Sequence, residues 1–165
     1  MKVLNKKQIQ QKIARIAIEI LEQNYTQKEL VLAGINNAGT HFAGMLQKEI
    51  ERVSEVKIHL TSIRLSPAKP VLNEIEIDFP QKELKSKVII VVDDVGNTGR
   101  TLFYAFQPLL EILPKKVQVA VLVDRKHKSF PVAVDYVGLS LATTLRENIK
   151  VILAGKEEEI GVYLD

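Results

Sequence analysis

The chain has 165 residues and carries 23 Lys and Arg against 20 Asp and Glu, a net charge of +3 that is too small to indicate a nucleic-acid or membrane partner by itself. Hydrophobic residues make up 46% of the chain and charged residues 26%, which is typical of a globular domain and excludes disordered, collagen-like and low-complexity classes. The absence of cysteine excludes disulfides, thiolate zinc sites and a cysteine nucleophile, and it favours a reducing cytoplasm.

The organisation of the chain indicates one domain and no membrane segment. The uninterrupted apolar runs, such as residues 88–92, fall far short of the ~20 residues that a membrane helix needs. Residues 1–10 contain no apolar stretch of the kind found in signal peptides. Because no linker or internal repeat divides the chain, we expect a single domain over residues 1–165, located in the cytoplasm.

The spacing of apolar residues predicts helices and strands in alternation. In chain order, the predicted elements are a helix at 6–24 with Asn5 as its N-cap, a strand at 30–33, a helix at 40–53, strands at 56–65, 74–77 and 87–92, a helix at about 100–113, and strands at 117–123, 132–137, 151–153 and 162–164. The run at 87–92 is rich in β-branched residues, as in a central strand covered on both faces. We therefore expect an α/β fold in which helices flank a mainly parallel, twisted sheet.

The residues that follow the predicted central strand are the strongest functional signal in the chain. Residues 91–101 read V-V-D-D-V-G-N-T-G-R-T. In an open α/β sheet, ligands bind at the carboxyl ends of the strands. Gly96 and Gly99 allow the backbone to curl so that several N–H groups converge on an anion, and Thr98 and Thr101 add hydroxyl donors. We therefore predict a binding site for a terminal phosphate at this turn.

Two acidic residues, Asp93 and Asp94, stand immediately before this turn. Carboxylates repel a phosphate, but they suit ribose hydroxyls or the water bound to a Mg²⁺ ion. Neither a dinucleotide-binding G-x-G-x-x-G motif nor a P-loop is present. Two other interpretations stay open at this point, because paired aspartates also occur in phospho-acceptor and metal sites, and Gly-Asn-Thr-Gly also occurs as an ordinary turn.

Two stretches of the chain resemble a known family. Residues 91–101 are similar to the phosphoribosyl-pyrophosphate (PRPP) signature of the type I phosphoribosyltransferases. Residues 122–131, which read L-V-D-R-K-H-K-S-F-P, and the D-Y-V-G at 135–138 resemble the pyrimidine-operon attenuator proteins with uracil phosphoribosyltransferase activity. The first helix and residues 32–35 also resemble that group, and the resemblance extends from about residue 3 to residue 153.

The resemblance implies a fold, a dimer and a set of site residues. The fold is a type I phosphoribosyltransferase-like α/β sheet with a small base-binding hood, and the assembly is a homodimer. The implied catalytic residues are Asp93, Asp94 and Arg64, of which the two acids also hold the ribose hydroxyls and, through water, Mg²⁺. The 5′-phosphate is expected at Val95, Gly96, Asn97, Thr98, Gly99, Arg100 and Thr101. The pyrophosphate is expected at the loop of Asn36, Asn37, Ala38 and Gly39. The base is expected near Asp124, Arg125, Val137 and Gly138.

The chain departs from the family's pattern outside the phosphate turn. Where the group usually has a Thr-Arg pair before the glycine of the pyrophosphate loop, this chain has Asn37 and Ala38. An arginine there supplies a forked, charge-assisted contact to an anion, and neither replacement does. The acids that follow Arg64 in the group are replaced by Leu-Ser-Pro, and Gly138 is followed by Leu139 where the group commonly has Lys. The pyrophosphate and base halves of the site are therefore altered.

Two further features have more than one interpretation. The loop at residues 66–70, which contains Lys69, is either a lid that excludes water or a surface connector. Arg125, His127 and Lys128 form a basic cluster, for which a solvated edge is the default interpretation. Contact of this cluster with a nucleotide, a dimer partner or RNA is the alternative.

Three hypotheses for the function follow. The first is Mg²⁺-dependent transfer of ribose 5-phosphate from PRPP to a nucleobase, with uracil favoured, as in pyrimidine salvage. The second is a non-catalytic or weakly catalytic regulator that senses PRPP or a pyrimidine nucleotide, in one version by binding RNA. The altered pyrophosphate loop favours this second hypothesis, whereas the mild net charge and the aromatic content of 5% count against RNA binding. The third is a phospho-acceptor signalling domain that uses Asp93 and Asp94.

Overall fold

The structure, a computed structural model, describes residues 1–144 and 146–165. Its elements, in chain order, are β1 (Lys2–Asn5), α1 (Lys6–Gln23), β2 (Glu29–Ile35), α2 (Asn36–Val53), β3 (Lys57–Arg64), β4 (Glu76–Ile77), α3 (Gln81–Leu84), β5 (Val88–Gly96), α4 (Arg100–Ala105), a 3₁₀ turn (Gln107–Leu109), β6 (Lys116–Arg125), β7 (Tyr136–Leu141), β8 (Ile149–Ile152) and β9 (Gly161–Leu164).

Six of the strands form the main sheet, in the order β4-β3-β2-β5-β6-β7. The neighbouring strands run parallel, except that β4 runs antiparallel to β3. β5 lies in the interior of the sheet, and its residues 88–93 are all buried. The expected α/β fold with a mainly parallel sheet and a covered central strand is therefore confirmed.

Apolar side chains cover both faces of this sheet. On one face, Ile16 of α1 and Phe42 of α2 are fully buried in the same cluster as Ile90 of β5. On the other face, Leu102 of α4 packs in a second cluster with Ile89. Adjacent residues of β5 thus point into opposite layers, as the two-residue period of a strand requires.

The two ends of the chain form a smaller sheet. β1, β9 and β8 pair antiparallel in that order. Leu4, Ile149 and Val162 of this sheet are buried in the cluster that α1 and α2 also enter. This small sheet beside the main sheet agrees with the expected hood, and its role in binding a base stays a prediction. No helix within the described ranges combines the length and the apolar character that crossing a membrane requires.

The starts of the two long helices differ in how well the sequence predicts them. α1 begins as expected, because the Asn5 side chain accepts a hydrogen bond from the N–H of Gln8 and completes a capping box. α2 begins at Asn36 rather than at residue 40, so the predicted pyrophosphate loop is the helix's first turn. Asn36 adopts a φ of 51°, and its side-chain amide bonds both backbone groups of Leu65 in place of a cap.

The bounds of two later elements differ from the predicted bounds. The helix expected over residues 100–113 ends at Ala105 and is followed by a 3₁₀ turn, because Pro108 has no N–H to continue an α-helix. The strand expected at 132–137 begins at Tyr136 instead. Val132 and Val134 pack against the sheet without pairing to it, and the Asp135 carboxylate accepts the N–H of Val119 at 2.8 Å.

Candidate functional site

The turn after β5 encloses a small cavity of about 40 Å³. The cavity is lined by Asp93, Val95, Asn97, Thr98, Gly99, Arg100, Thr101 and Leu102. Gly99 has a φ of 87°, which a side chain rarely adopts, so the turn requires glycine there. Within the described residues, the backbone N–H groups of Asn97, Thr98 and Gly99 have no acceptor. Unpaired donors around a cavity of this size suit a small anion.

The outer side of this turn is held by residues 128–130. The carbonyl of Thr98 accepts the N–H groups of Ser129 and Phe130, at 2.9 and 3.2 Å. The carbonyl of Gly96 accepts from the Lys128 ammonium at 3.3 Å. Both carbonyls are thus bonded to residues 128–130, which fixes the shape of the turn. We call residues 96–101 the phosphate turn.

The two aspartates differ in their exposure. Asp93 is only 9% exposed, whereas Asp94 is partly buried. Asp93 Oδ1 accepts the N–H of Asp94, and Asp94 Oδ1 accepts the N–H of Val95, both at 2.9 Å. Burial, reinforced by the neighbouring Asp94 carboxylate, raises the pKa of Asp93. A ribose hydroxyl or a cation bound at Asp93 would favour its charged form.

The first turn of α2 packs directly against the end of β5. A Cβ on Gly39 would lie 2.5 Å from the carbonyl of Val92 and 3.3 Å from Asp93 Oδ1, so only glycine permits this approach. The side chains of Asn37 and Ala38 are exposed. The structure thus brings the predicted pyrophosphate residues beside the acid pair.

A larger opening adjoins this turn. A cavity of about 660 Å³ is lined by Asn36, Asn37, Ala38, Arg64, Leu65, Ser66, Asn73 and Glu74. Arg64, at the end of β3, also lines a neighbouring cavity of about 350 Å³ with Asp78. The Arg64 guanidinium contacts the Asp78 carboxylate at 2.6 Å. Arg64 therefore faces the predicted pyrophosphate position, but with an acidic partner.

The end of β6 lies on the other side of the phosphate turn. A Cβ on Gly96 would lie 3.0 Å from Asp124 Oδ1, which places this carboxylate against the turn. Asp124 forms a salt bridge with Lys128 at 2.5 Å. Arg125 is 9% exposed and donates to the carbonyl of Glu147. Asp124 therefore adjoins the phosphate turn, while Arg125 holds the segment that follows β7.

Val137 and Gly138 lie within β7 rather than at its end. Their carbonyls accept from the Arg15 guanidinium of α1, at 2.8 and 2.9 Å. A Cβ on Gly138 would lie 2.4 Å from the carbonyl of Leu122, so glycine permits the close approach of β6 and β7. Val137 and Gly138 therefore hold β7 against α1 and β6. Their contact with a base stays a prediction.

The solvated edge that was the default interpretation of the basic cluster is wrong for two of its residues. Arg125 is 9% exposed, and the side chain of Lys128 is 17% exposed. Asp124 lies at the end of a strand rather than on a helix, so the spacing of four residues between it and Lys128 gives no local signal for their ion pair. His127 and Lys126 are exposed, as expected of an edge.

The acid pair fits a magnesium ion held mainly by substrate. Within residues 1–144 and 146–165, no group of three or more acidic or imidazole side chains forms a metal cage. Mg²⁺ commonly uses one or two carboxylates together with water and substrate phosphates. Asp93 and Asp94 supply hard oxygen donors of this kind beside the phosphate turn.

Comparison with known proteins identifies the family. The model of the phosphoribosyl transferase domain matches residues 2–154. The chain therefore belongs to the phosphoribosyltransferases of type I.

Within that family, the chain is similar over its whole length to proteins named bifunctional protein PyrR. It is 34% identical to the PyrR of Caldicellulosiruptor bescii over 173 residues, which cover 99% of this chain and 93% of that protein. The identity to the PyrR of Clostridium novyi is 34% over 172 residues, with coverage of 98% and 95%.

Solved structures show the same fold at lower identity. A hypoxanthine-guanine phosphoribosyltransferase from Bacillus anthracis has a TM-score of 0.71 and 21% identity, covering 85% of this chain and 81% of that one. A hypoxanthine phosphoribosyl transferase from Trypanosoma cruzi has a TM-score of 0.73 and 18% identity, covering 87% and 78%. The family match counts against the third hypothesis, a phospho-acceptor signalling domain.

Proposed function

We propose that this protein transfers the ribose 5-phosphate of PRPP to a nucleobase, with uracil favoured, and releases pyrophosphate. The observation that carries the proposal is the set of unpaired N–H groups of Asn97, Thr98 and Gly99 around a cavity beside two aspartates. A sugar phosphate with its 5′-phosphate in that cavity has its ribose beside the acid pair. Its pyrophosphate then extends toward the first turn of α2.

The reaction requires orientation more than a side-chain nucleophile. A ring nitrogen of the base forms a bond to the anomeric carbon, the bond from that carbon to pyrophosphate breaks, and the proton of the nitrogen passes to solvent. Asp93 and Asp94 orient the ribose hydroxyls, and the phosphate turn fixes the other end of the sugar, which keeps the reacting atoms in line. Mg²⁺, when bound through water on the two acids, would neutralise charge on the departing pyrophosphate.

The base is proposed to lie on the side of the phosphate turn where β6 ends. The Asp124 carboxylate reaches this side, and Arg125 fixes the neighbouring segment through Glu147. Both residues were predicted as base-side residues. Uracil is favoured by the resemblance of residues 122–131, which include Asp124 and Arg125 at the end of β6, to the attenuator group.

A second candidate function is regulation by binding PRPP or a nucleotide with little turnover. The observation in its favour is the uncharged first turn of α2, where Asn37 and Ala38 face the large cavity. Binding of RNA is the less favoured version of this function. Affinity for RNA that falls steeply with salt would support that version.

The deciding experiment is a panel of nucleobases incubated with PRPP and Mg²⁺ and scored for pyrophosphate release and nucleotide formation. We expect UMP from uracil. Binding of PRPP or UMP without product from any base would favour the regulator instead. No binding of either ligand would contradict both.

Two variants test the binding residues directly. Asp94→Asn should weaken PRPP binding by removing a charged acceptor for the ribose hydroxyls, and Thr98→Val should do so by removing a hydroxyl donor. Each loss is expected to be about tenfold, the size of a hydrogen bond that involves a charged partner. The measurement is titration calorimetry with PRPP. Unchanged affinity in both variants would rule out the phosphate turn as the site.

A further inference from the structure

The pyrophosphate side of the site offers little positive charge to an anion. Of the described residues that line the two cavities beside α2, only Arg64 is a lysine or arginine, and two, Glu74 and Asp78, are acids. The Asn37 and Ala38 side chains add no charge. An anion placed there meets one cation that is already paired.

Asp78 is directed at Arg64 by the backbone. β4 pairs antiparallel with β3, so that Glu76 lies opposite Arg64. The N–H of Asp78 then bonds the carbonyl of Ser62 at 3.0 Å, which continues the alignment by one more bond. The Arg64 guanidinium lies 2.6 Å from the Asp78 carboxylate and 3.8 Å from that of Glu76. The register of β3 and β4 therefore places the Asp78 carboxylate beside the Arg64 guanidinium.

We infer that Asp78 is a specificity-determining residue, which withholds Arg64 from the leaving group and so favours ligands with a single 5′-phosphate over ligands that also carry pyrophosphate. This inference rests on the proposed function, since it assumes that the 5′-phosphate binds at the phosphate turn. It deepens that function by assigning to Asp78 a lower affinity of the site for PRPP relative to ligands with a single 5′-phosphate.

The physical basis is competition for one guanidinium. The Asp78 carboxylate occupies the Nη2 donor of Arg64, and its negative charge repels a pyrophosphate that approaches the other donors of the guanidinium. Because 60% of the Arg64 side chain is exposed, water screens the pair, and a single exposed ion pair changes an equilibrium by a factor of up to about five. The effect is therefore modest and measurable.

The test is titration calorimetry of the whole chain with two probes, ribose 5-phosphate and PRPP, in the presence of Mg²⁺. Asp78→Asn frees Arg64 and is expected to tighten PRPP binding about three- to fivefold, with ribose 5-phosphate affinity unchanged. Asp78→Ser is a second variant, since 42% of the Asp78 side chain is exposed and its backbone bond to Ser62 persists in both variants. The double variant Arg64→Gln, Asp78→Asn should lose the gain.

Glu83→Gln is the matched control, because it removes one negative charge from an exposed position on α3. An equal gain in this control would overturn the inference by assigning the effect to net charge. PRPP affinity that is unchanged in both Asp78 variants, with ribose 5-phosphate still bound, would overturn the inference alone. Failure of the wild type to bind both ribose 5-phosphate and PRPP would overturn the proposed function, and the inference with it.

Discussion

The Lys128 ammonium has acceptors on three neighbouring groups. It contacts the Asp124 carboxylate at 2.5 Å, the carbonyl of Gly96 at 3.3 Å and the carbonyl of Arg125. These contacts join the end of β6 to the phosphate turn. Since Ser129 and Phe130 also bind the turn through Thr98, we infer that Lys128 is a positioning residue that keeps the turn in its anion-binding shape.

Replacement of this ammonium should affect PRPP binding more than the chemical step. Lys128→Met should raise KM for PRPP about tenfold, the cost of losing hydrogen bonds from a charged donor, with a smaller change in kcat. Lys128→Arg should recover most of the affinity because it keeps the charge and several donors. Steady-state kinetics with varied PRPP measures both constants. Lys126→Met is the control at an exposed neighbour, and an equal effect there would refute the positioning role.

The residues of the site were predictable to the extent that they are contiguous in sequence. Residues 93–101 form one uninterrupted stretch that a local motif describes. In the structure, most of them line one cavity. The pairing of Arg64 with Asp78 depends instead on the register of β3 and β4, and the packing of Lys128 depends on where residues 126–130 return to the turn. Neither follows from local pattern.

Among the elements, the buried strands were predicted best, because an unbroken apolar run leaves few alternatives. β5 contains all but the first residue of the strand predicted at 87–92, and β6 contains the strand predicted at 117–123. Amphipathic spacing over residues 100–113 favoured a long helix, but Pro108 overrides that spacing. The alternation at 132–137 reflects two side chains that pack against the sheet, whereas pairing with β6 starts only at Tyr136. A pattern of buried side chains therefore does not distinguish a segment that packs against a sheet from a strand that is hydrogen-bonded within it.

Three polar side chains connect the amino ends of β2, β3 and β5. The Glu29 carboxylate contacts the Lys87 ammonium at 2.6 Å and His59 Nε2 at 3.0 Å. Hydrogen bonds, first from Lys87 and then from His59, lower the pKa of Glu29 from 4.5 to about 2. A pKa that is lower in the folded state means that the charged form stabilises folding above pH 4.5, and this contribution is lost as the pH falls toward 2.

Glu29→Gln should therefore lower the free energy of unfolding near neutral pH, with a difference from wild type that shrinks between about pH 5 and pH 2. Because 42% of the Glu29 side chain is exposed, solvent screening limits the neutral-pH difference to about 0.5–1 kcal/mol. Urea denaturation at a series of pH values measures it. Glu55→Gln, at an exposed residue outside any described ion pair, should show no such dependence. A constant difference across this range would exclude the proposed linkage.

At the scale of the whole molecule, one apolar surface has no covering element among the described residues. It surrounds a groove of about 370 Å³ lined by Phe106, Leu109, Leu110, Ile112, Pro114 and Val117. Leu110 is 80% exposed and the adjoining Leu113 is 76% exposed. Contiguous apolar surface of this kind marks interaction sites. We propose this surface as the contact of the homodimer that the family resemblance implies.

Substitution of this surface should shift the protein from dimer to monomer without unfolding it. The double variant Leu110→Ser, Leu113→Ser removes apolar area that is already exposed in one chain, so it should have little effect on the stability of the folded monomer. It should weaken association by about 2 kcal/mol or more, which is some thirtyfold in the dissociation constant of the dimer. Sedimentation equilibrium over a range of concentrations measures this shift. Val71→Ser is the control, since Val71 is 78% exposed on the loop between β3 and β4. A wild type that is monomeric throughout, or a dimer that the double variant leaves intact, would exclude this surface as the contact.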